Sequence, residues 1–213
     1  MKTRKIRTAL YNVLPGEKAH ALMAPRPKYI EGIEGVHPCP PVNSAILALI
    51  VPFENELALP LIKRVNRGKY HGGQIAFPGG KMEKEDADAL QTALRECHEE
   101  IGVPEEKVSI LGVLSDIYIP LSNFNITPIV GTTLQLPDFI LSQDEVEKVI
   151  LVKLRDLFED RNKTTHSFVR HDHKIIAPGY KIGENFIWGA TAMIIAELEQ
   201  LMKTNTFNHL GKL

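Results

Sequence analysis

The sequence predicts an α/β fold in which a mixed β-sheet is sandwiched between helices (α/β/α). Three observations carry that prediction. Strand-like apolar runs lie on both sides of one central helical pattern at about residues 86–101. A second amphipathic pattern occupies 188–202. No repeat, low-complexity tract or linker separates these parts. At 213 residues, 44% of them hydrophobic, the chain is long enough to bury one core of ordinary domain size.

Taken in order, residues 1–13 are expected to form a short helix that Pro15 and Gly16 end. Residues 25–41 contain five prolines and read as an irregular wrap. Residues 1–40 are therefore expected to be a helical and irregular extension packing on a domain of residues 41–213. The apolar runs 44–51 and 57–62, separated by PFENE, predict two strands joined by a tight turn. A third short strand is expected over 73–78, ending in FPGG. After the central helix, β-branched residues predict strands at 107–118, 124–133 and 146–152. Residues 166–171 and 174–182 are expected to pair around His171, Asp172 and His173, placing His166, His171 and His173 on a surface hairpin. Trp188 is expected to start the last helix.

Bulk properties narrow the function classes. The 25 Lys and Arg nearly cancel the 26 Asp and Glu, and a net charge of -1 provides no broad positive field to hold nucleic acid or an anionic membrane. Two cysteines, Cys39 and Cys97, are too few for a disulfide framework and fit a reducing compartment. The basic start is not followed by an apolar stretch of signal-peptide length, and no segment approaches the ~20 apolar residues of a membrane span. A cytoplasmic protein is expected. Its oligomeric state is left open, a homodimer included.

The chemistry lies in residues 79–103, GGKMEKEDADALQTALRECHEEIGV. At about 100° per residue, Glu96, Glu99 and Glu100 share one arc of a helix, and Leu90, Leu94, Cys97 and Ile101 share a neighbouring one. One face packs while the other presents three carboxylates, which repel one another unless cations sit between them. Carboxylate oxygens without a Cys or His cluster suit Mg²⁺ or Mn²⁺, ions that bridge protein carboxylates to phosphate oxygens. Gly79 and Gly80, directly after a strand, allow a sharp turn and leave a carbonyl free to approach a cation. The helix is bounded by Glu83, Glu85, Asp86 and Asp88 before or in its first turn, and by Gly102, Val103 and Pro104 at its end. Cys97 belongs to the apolar face, as core rather than nucleophile. His98 is expected to face solvent, since HEEIG lacks the second histidine of a zinc HEXXH motif.

These residues resemble the Nudix box: a glycine, five residues, an acid, a spacer, then Arg-Glu-apolar-X-Glu-Glu-X-Gly-apolar. Here it ends as Arg95-Glu96-Cys97-His98-Glu99-Glu100-Ile101-Gly102-Val103. The first acid is Asp86 instead of the usual Glu, and eight residues instead of seven separate it from Arg95. On a continuous helix, positions 86 and 95 would point in opposite directions. Asp86 is therefore expected to precede the helix, with Asp88 or Glu85 as alternative partners for Arg95. The resemblance implies a Nudix fold and metal-dependent hydrolysis of a nucleoside diphosphate linked to another group. It also implies Mg²⁺ or Mn²⁺ held by Glu96, Glu99, Glu100 and the Gly79 carbonyl, with Arg95 in the catalytic set. The general base is left among Glu96, Glu100 and a distal acid, of which Glu145 is preferred to Glu147.

The resemblance extends beyond the box: HGGQIAFPGG (71–80), TALRE (92–96), PLSNFNITPIVG (120–131), DEVEKVILVKL (144–154) and IWGATAM (187–193) are similar to the coenzyme A pyrophosphatase branch. That branch cleaves coenzyme A or its derivatives to 3',5'-ADP and a phosphopantetheine product. Ile62 and Arg64 stand where its upstream signature has threonines, and Lys69 stands at its arginine. A lysine keeps the charge but lacks the bidentate fork, so phosphate binding is assigned to Arg64, Arg67 and Lys69 together. Two alternatives stay open. One is cleavage of ADP-ribose, another nucleotide sugar or a dinucleotide polyphosphate. The other is a non-catalytic sensor, against which the intact glutamate set argues.

Overall fold

The computed structural model describes residues 2–26, 39–66, 73–170 and 173–204. Strands β1 (Val42–Phe53) and β2 (Glu56–Arg64) form a hairpin. Its turn, Glu54-Asn55, has positive φ at both residues (48° and 62°), the two-residue geometry whose twist matches that of the flanking strands. Strand β3 (Ile75–Ala76) pairs with β2, and β4 (Gly79–Lys81) pairs with β1 in register Ile46 to Gly79. Helix α3 (Ala89–Ile101) then leads to β5 (Ser109–Val113), β6 (Ile117–Ile119) and β7 (Phe124–Thr132). Strand β7 runs parallel to β1 from Val42 opposite Phe124 to Ile50 opposite Thr132, while β5 and β6 pair with it antiparallel. Strand β8 (Val146–Lys153) completes the sheet against β2. Parallel and antiparallel pairings together make it mixed.

Strand β1 shows why the layers form. Ala45, Leu47, Leu49 and Val51 pack with Ala93, Cys97 and Ile101 of α3, whereas Ala48 and Ile50 point the other way. With side chains alternating across a strand, a continuous apolar run requires cover on both faces. On the second face lie Ile6, Ala9 and Leu10 of α1 (Lys2–Leu10), Met23 of α2 (Glu17–Met23), and Ile194, Ile195 and Leu198 of α5 (Ala190–Thr204). The short helix α4 (Leu154–Phe158) precedes a second sheet of β9 (Lys163–Arg170), β10 (His173–Ile182) and β11 (Asn185–Trp188), in the order β11-β10-β9. No helix among the described residues is long and apolar enough to cross a membrane.

Several boundaries differ from the sequence expectations for visible reasons. The strand expected over 107–118 divides into β5 and β6, because the Ser115 N–H donates to the carboxylate of Glu197 instead of to a neighbouring strand. The strand expected over 73–78 stops at Ala76, since Pro78 has no N–H to give to a ladder. Trp188 ends β11 rather than starting α5, and Gly189 (φ 66°) turns the chain between the two. The short elements α2, α4 and β11 were too brief to show a period. His166 is exposed on β9 and stacks on Phe186 with ring centroids 3.8 Å apart. His171 and most of the 25–41 wrap fall outside the described residues.

Glu197 of α5 pins this arrangement. Its fully buried carboxylate accepts from the Gly16 N–H (3.0 Å) and the Ser115 hydroxyl (2.6 Å), and lies 2.9 Å from His20 Nε2. Burial alone would raise its pKa. The bonds from His20 and Ser115 outweigh that and hold it below the usual carboxylate range. Glu197→Gln, which puts an amide donor among these donors, should cost about 2 kcal/mol in urea unfolding. An unchanged midpoint would show that the cluster adds nothing.

Candidate active site

Helix α3 starts where Asp88 accepts from the Gln91 N–H (2.9 Å) as N-cap, and ends at Gly102 in the left-handed region (φ 71°). Asp86 lies two residues before this cap and is buried. Its Oδ1 accepts from Arg95 Nε and its Oδ2 from Arg95 Nη2, both at 2.9 Å, and Oδ2 also takes the Thr92 hydroxyl (3.0 Å) and the Glu83 N–H (2.9 Å). The Arg95 guanidinium holds the Asp86 carboxyl well below the usual range, and in return Arg95 is held firmly charged. Neither alternative partner is used, because Asp88 is committed to the cap; the loop places Asp86 over Arg95 despite the longer spacing. Asp86→Asn should lower stability by about 1–2 kcal/mol, since Arg95 is partly exposed and part of the loss is screened. Thermal unfolding that matches the parent protein would contradict this clamp.

Arg95 is thereby positioned to hold the acidic face. Its Nη1 lies 3.0 Å from Glu96 Oε1 and 3.0 Å from Glu99 Oε2, and its Nη2 donates to the Lys81 carbonyl (3.2 Å). The three glutamates sit at three depths: Glu99 is 54% exposed, Glu96 is partly buried and Glu100 is fully buried. Burial raises the Glu96 pKa despite Arg95 beside it. Burial likewise pushes Glu100 up to about 7, against the pull of Arg64 and the Gly79 N–H and with the charges of Glu96 and Glu145 adding to the rise.

Gly79 and Gly80 account for the close approach of strand and helix. A Cβ on Gly79 would lie 2.4 Å from the Ala45 carbonyl oxygen, and one on Gly80 would lie 2.5 Å from the Glu96 carboxylate. The Gly79 N–H donates to Glu100 Oε2 (2.9 Å). The other oxygen, Oε1, is buried and accepts no hydrogen bond; Arg64 Nη2 stands 3.0 Å away as its ionic partner. Arg64 ends β2 at a bulge that opens between Lys63 and Arg64.

Of the residues expected from sequence, Gly79, Arg95, Glu96, Glu99, Glu100 and Arg64 come together. Glu145 is exposed on the adjoining turn, its carbonyl accepting from the Val65 N–H (2.9 Å), close enough for its charge to act on Glu96 and Glu100. Glu147 is engaged by Lys63 at 2.7 Å. Arg67 and Lys69 lie outside the described residues. Cys97 is buried with its thiol pushed up to about 12, the state of a core residue, and His98 is exposed. Sequence reasoning missed the pairing of Arg64 with Glu100: β2 ends in two cations, Lys63 and Arg64, and no local spacing tells which of them meets an acid on α3.

Among the described residues no three carboxylates converge on one point, because Arg95 and Arg64 stand between them as counter-charges. The donor set is nonetheless suited to a hard divalent cation. Its side-chain donors are carboxylate oxygens, one of them buried without a hydrogen bond, beside a backbone stripped of side chains.

A family model for the NUDIX domain matches residues 43–171, which contain all of these residues. The chain belongs to the Nudix hydrolase family. It is 34% identical over 161 residues to the Nudix hydrolase NudL of Enterobacter sp. (strain 638), covering 74% of this chain and 82% of that one. It is 35% identical over 158 residues to NudL of Pectobacterium atrosepticum, with 73% and 80% covered. Among solved structures, the MutT protein from Methanosarcina mazei Go1 superposes with a TM-score of 0.51 at 18% identity, over 79% of this chain and 98% of that one. A MutT/nudix family protein from Enterococcus faecalis gives 0.52 at 18%, over 80% and 65%. These two likenesses show the fold. As a Nudix hydrolase the protein is a pyrophosphohydrolase that acts on nucleoside diphosphate derivatives, and enzymes of this family generally use divalent metal ions.

Proposed function

We propose that this Nudix hydrolase cleaves the diphosphate of coenzyme A or its derivatives in the cytoplasm, giving 3',5'-ADP and a 4'-phosphopantetheine product. The observation that carries the reading is the graded carboxylate face of Glu96, Glu99 and Glu100 against Gly79 and Gly80, with the Arg64 cation at its edge. The separated segments similar to coenzyme A pyrophosphatases supply the substrate. Glu96, Glu99, Glu100 and the Gly79 carbonyl would hold Mg²⁺ or Mn²⁺, which when bound neutralises charge on the diphosphate and acidifies water.

The protein's own groups do the rest. Arg64, with Arg67 and Lys69, binds phosphate oxygens, for which a guanidinium fork is well matched. Arg95, clamped by Asp86, fixes where Glu96 and Glu99 point. Water forms a bond to one phosphorus, the bond from that phosphorus to the bridging oxygen breaks, and the other phosphate departs with the electron pair. Glu145 takes the proton from the attacking water. Among the described residues its carboxylate has no ion-pair partner, whereas that of Glu147 is paired with Lys63.

A panel of coenzyme A, acetyl-coenzyme A, ADP-ribose and a dinucleotide polyphosphate, each with Mg²⁺ or Mn²⁺, tests the substrate. The expected result is a kcat/KM for coenzyme A at least about tenfold above that for ADP-ribose, which a few well-placed contacts can supply. The reverse order would discard coenzyme A and leave the diphosphate chemistry in place.

A further inference from the structure

We propose that Arg64 is the resident counter-ion of Glu100, and that a divalent cation displaces it from that carboxylate onto a phosphate of the substrate, so that metal and substrate bind in order. The inference rests on the reading of Glu96, Glu99 and Glu100 as the metal-holding set.

The two oxygens of Glu100 are unequal. Oε2 is engaged by the Gly79 N–H at 2.9 Å, whereas Oε1 is buried, accepts no hydrogen bond and has the Arg64 guanidinium 3.0 Å away. A Mg²⁺-sized ion binds a carboxylate oxygen at ~2.1 Å and carries a shell of further oxygens. A guanidinium cannot keep its contact with Oε1 while such an ion and its shell occupy the same side. One cation must leave.

The two arginines of the site differ in how firmly they are anchored. Arg95 has its Nε and Nη2 edge on Asp86 and a further bond from Nη2 to the Lys81 carbonyl, so its place is fixed from the side away from the glutamates. Arg64 is 32% exposed, emerges from a strand end at a bulge, and meets Glu100 through an ion pair that lacks hydrogen-bond geometry. It is the one built to move. Its neighbour Lys63 is occupied on Glu147, which leaves Arg64 as the β2 cation directed at the site. Once released, its planar fork suits two phosphate oxygens better than a lysine would.

The consequence is a coupling between the two ligands. Until the cation arrives, Arg64 satisfies Glu100 and is withheld from phosphate; after it arrives, the same guanidinium adds to substrate binding. A neutral replacement therefore has opposite effects on the two ligands, which neither a plain phosphate-binding residue nor a plain support for Glu100 would produce.

Calorimetric titration of the full chain with Mn²⁺ alone, in the absence of nucleotide, tests this on Arg64→Gln, Arg64→Met and Arg64→Lys. Both neutral variants should bind Mn²⁺ about five- to tenfold more tightly than the parent, and Arg64→Lys should stay within about twofold of it. At saturating Mn²⁺ the neutral variants should show a KM for the best nucleotide of the panel raised at least about tenfold, with kcat changed less. Unchanged Mn²⁺ affinity in the neutral variants would overturn the proposal by making Arg64 a phosphate ligand only; weakened affinity would overturn it by making Arg64 a support for Glu100. Glu96→Gln separates the underlying reading. If it binds Mn²⁺ as well as the parent does, the metal assignment fails; if it loses binding while the neutral Arg64 variants match the parent, the displacement alone fails.

Discussion

Glu99→Gln is expected to lower kcat/KM on the best nucleotide substrate by about 100-fold or more while leaving the fold intact. Charge stabilisation by a bound divalent ion is worth several kcal/mol in such reactions, and 100-fold corresponds to about 2.7 kcal/mol. The structural cost is small because Glu99 is more than half exposed, and its contact with Arg95 is a surface pair of the i,i+4 kind. Circular dichroism and the unfolding midpoint should match the parent protein within about 0.5 kcal/mol. Retained turnover in a folded Glu99→Gln protein would remove Glu99 from the metal-holding set.

The second large effect concerns pH and Glu100. With its carboxyl raised from 4.5 to about 7 in the folded chain, the unfolded state releases its proton first as pH rises. Between pH 4.5 and 7 the unfolded chain therefore binds fewer protons than the folded one, and stability falls with rising pH across that window. At about 1.4 kcal/mol per pH unit the loss is about 3 kcal/mol, and the upward shift of Glu96 adds in the same direction. In chelator-treated protein, urea unfolding at pH 5 and pH 8 should show this decline, and Glu100→Gln should flatten most of it and be the more stable protein at pH 8. If Glu100 holds a divalent ion as proposed, added Mn²⁺ should reverse the slope, because the ion would bind the ionised carboxylate and weaken as it protonates below pH 7. A parent protein with the same pH profile as Glu100→Gln would contradict the buried, proton-holding state of this residue.

The α/β/α architecture was legible because β1, α3 and α5 are long enough to show their periods, and the doubly buried face of β1 leaves an uninterrupted apolar run. The acidic face of α3 and the paired glycines were legible because their spacing is local. The details that depend on distant partners were not. Nothing near Ser115 announces that its N–H goes to Glu197, so one expected strand became two. Nothing in the segment 60–65 reveals that Arg64 reaches Glu100, thirty-six positions later in the chain. The partner of Arg95 lay between these cases: the helical arithmetic correctly excluded Asp86 from the regular helix, but the return of the loop over Arg95 depends on the bonds from Thr92 and Glu83.

That loop has a consequence for length. Because Asp86 meets Arg95 from outside the helix, a residue can be added or removed ahead of the Asp88 cap without rotating the glutamates about the helix axis. The front of the box thus works as slack and its rear as a ruler. Residue-for-residue counting is meaningful from Asp88 onward, whereas upstream of it a change of length falls in the bend of the chain, outside the helix that sets the spacing of Glu96, Glu99 and Glu100.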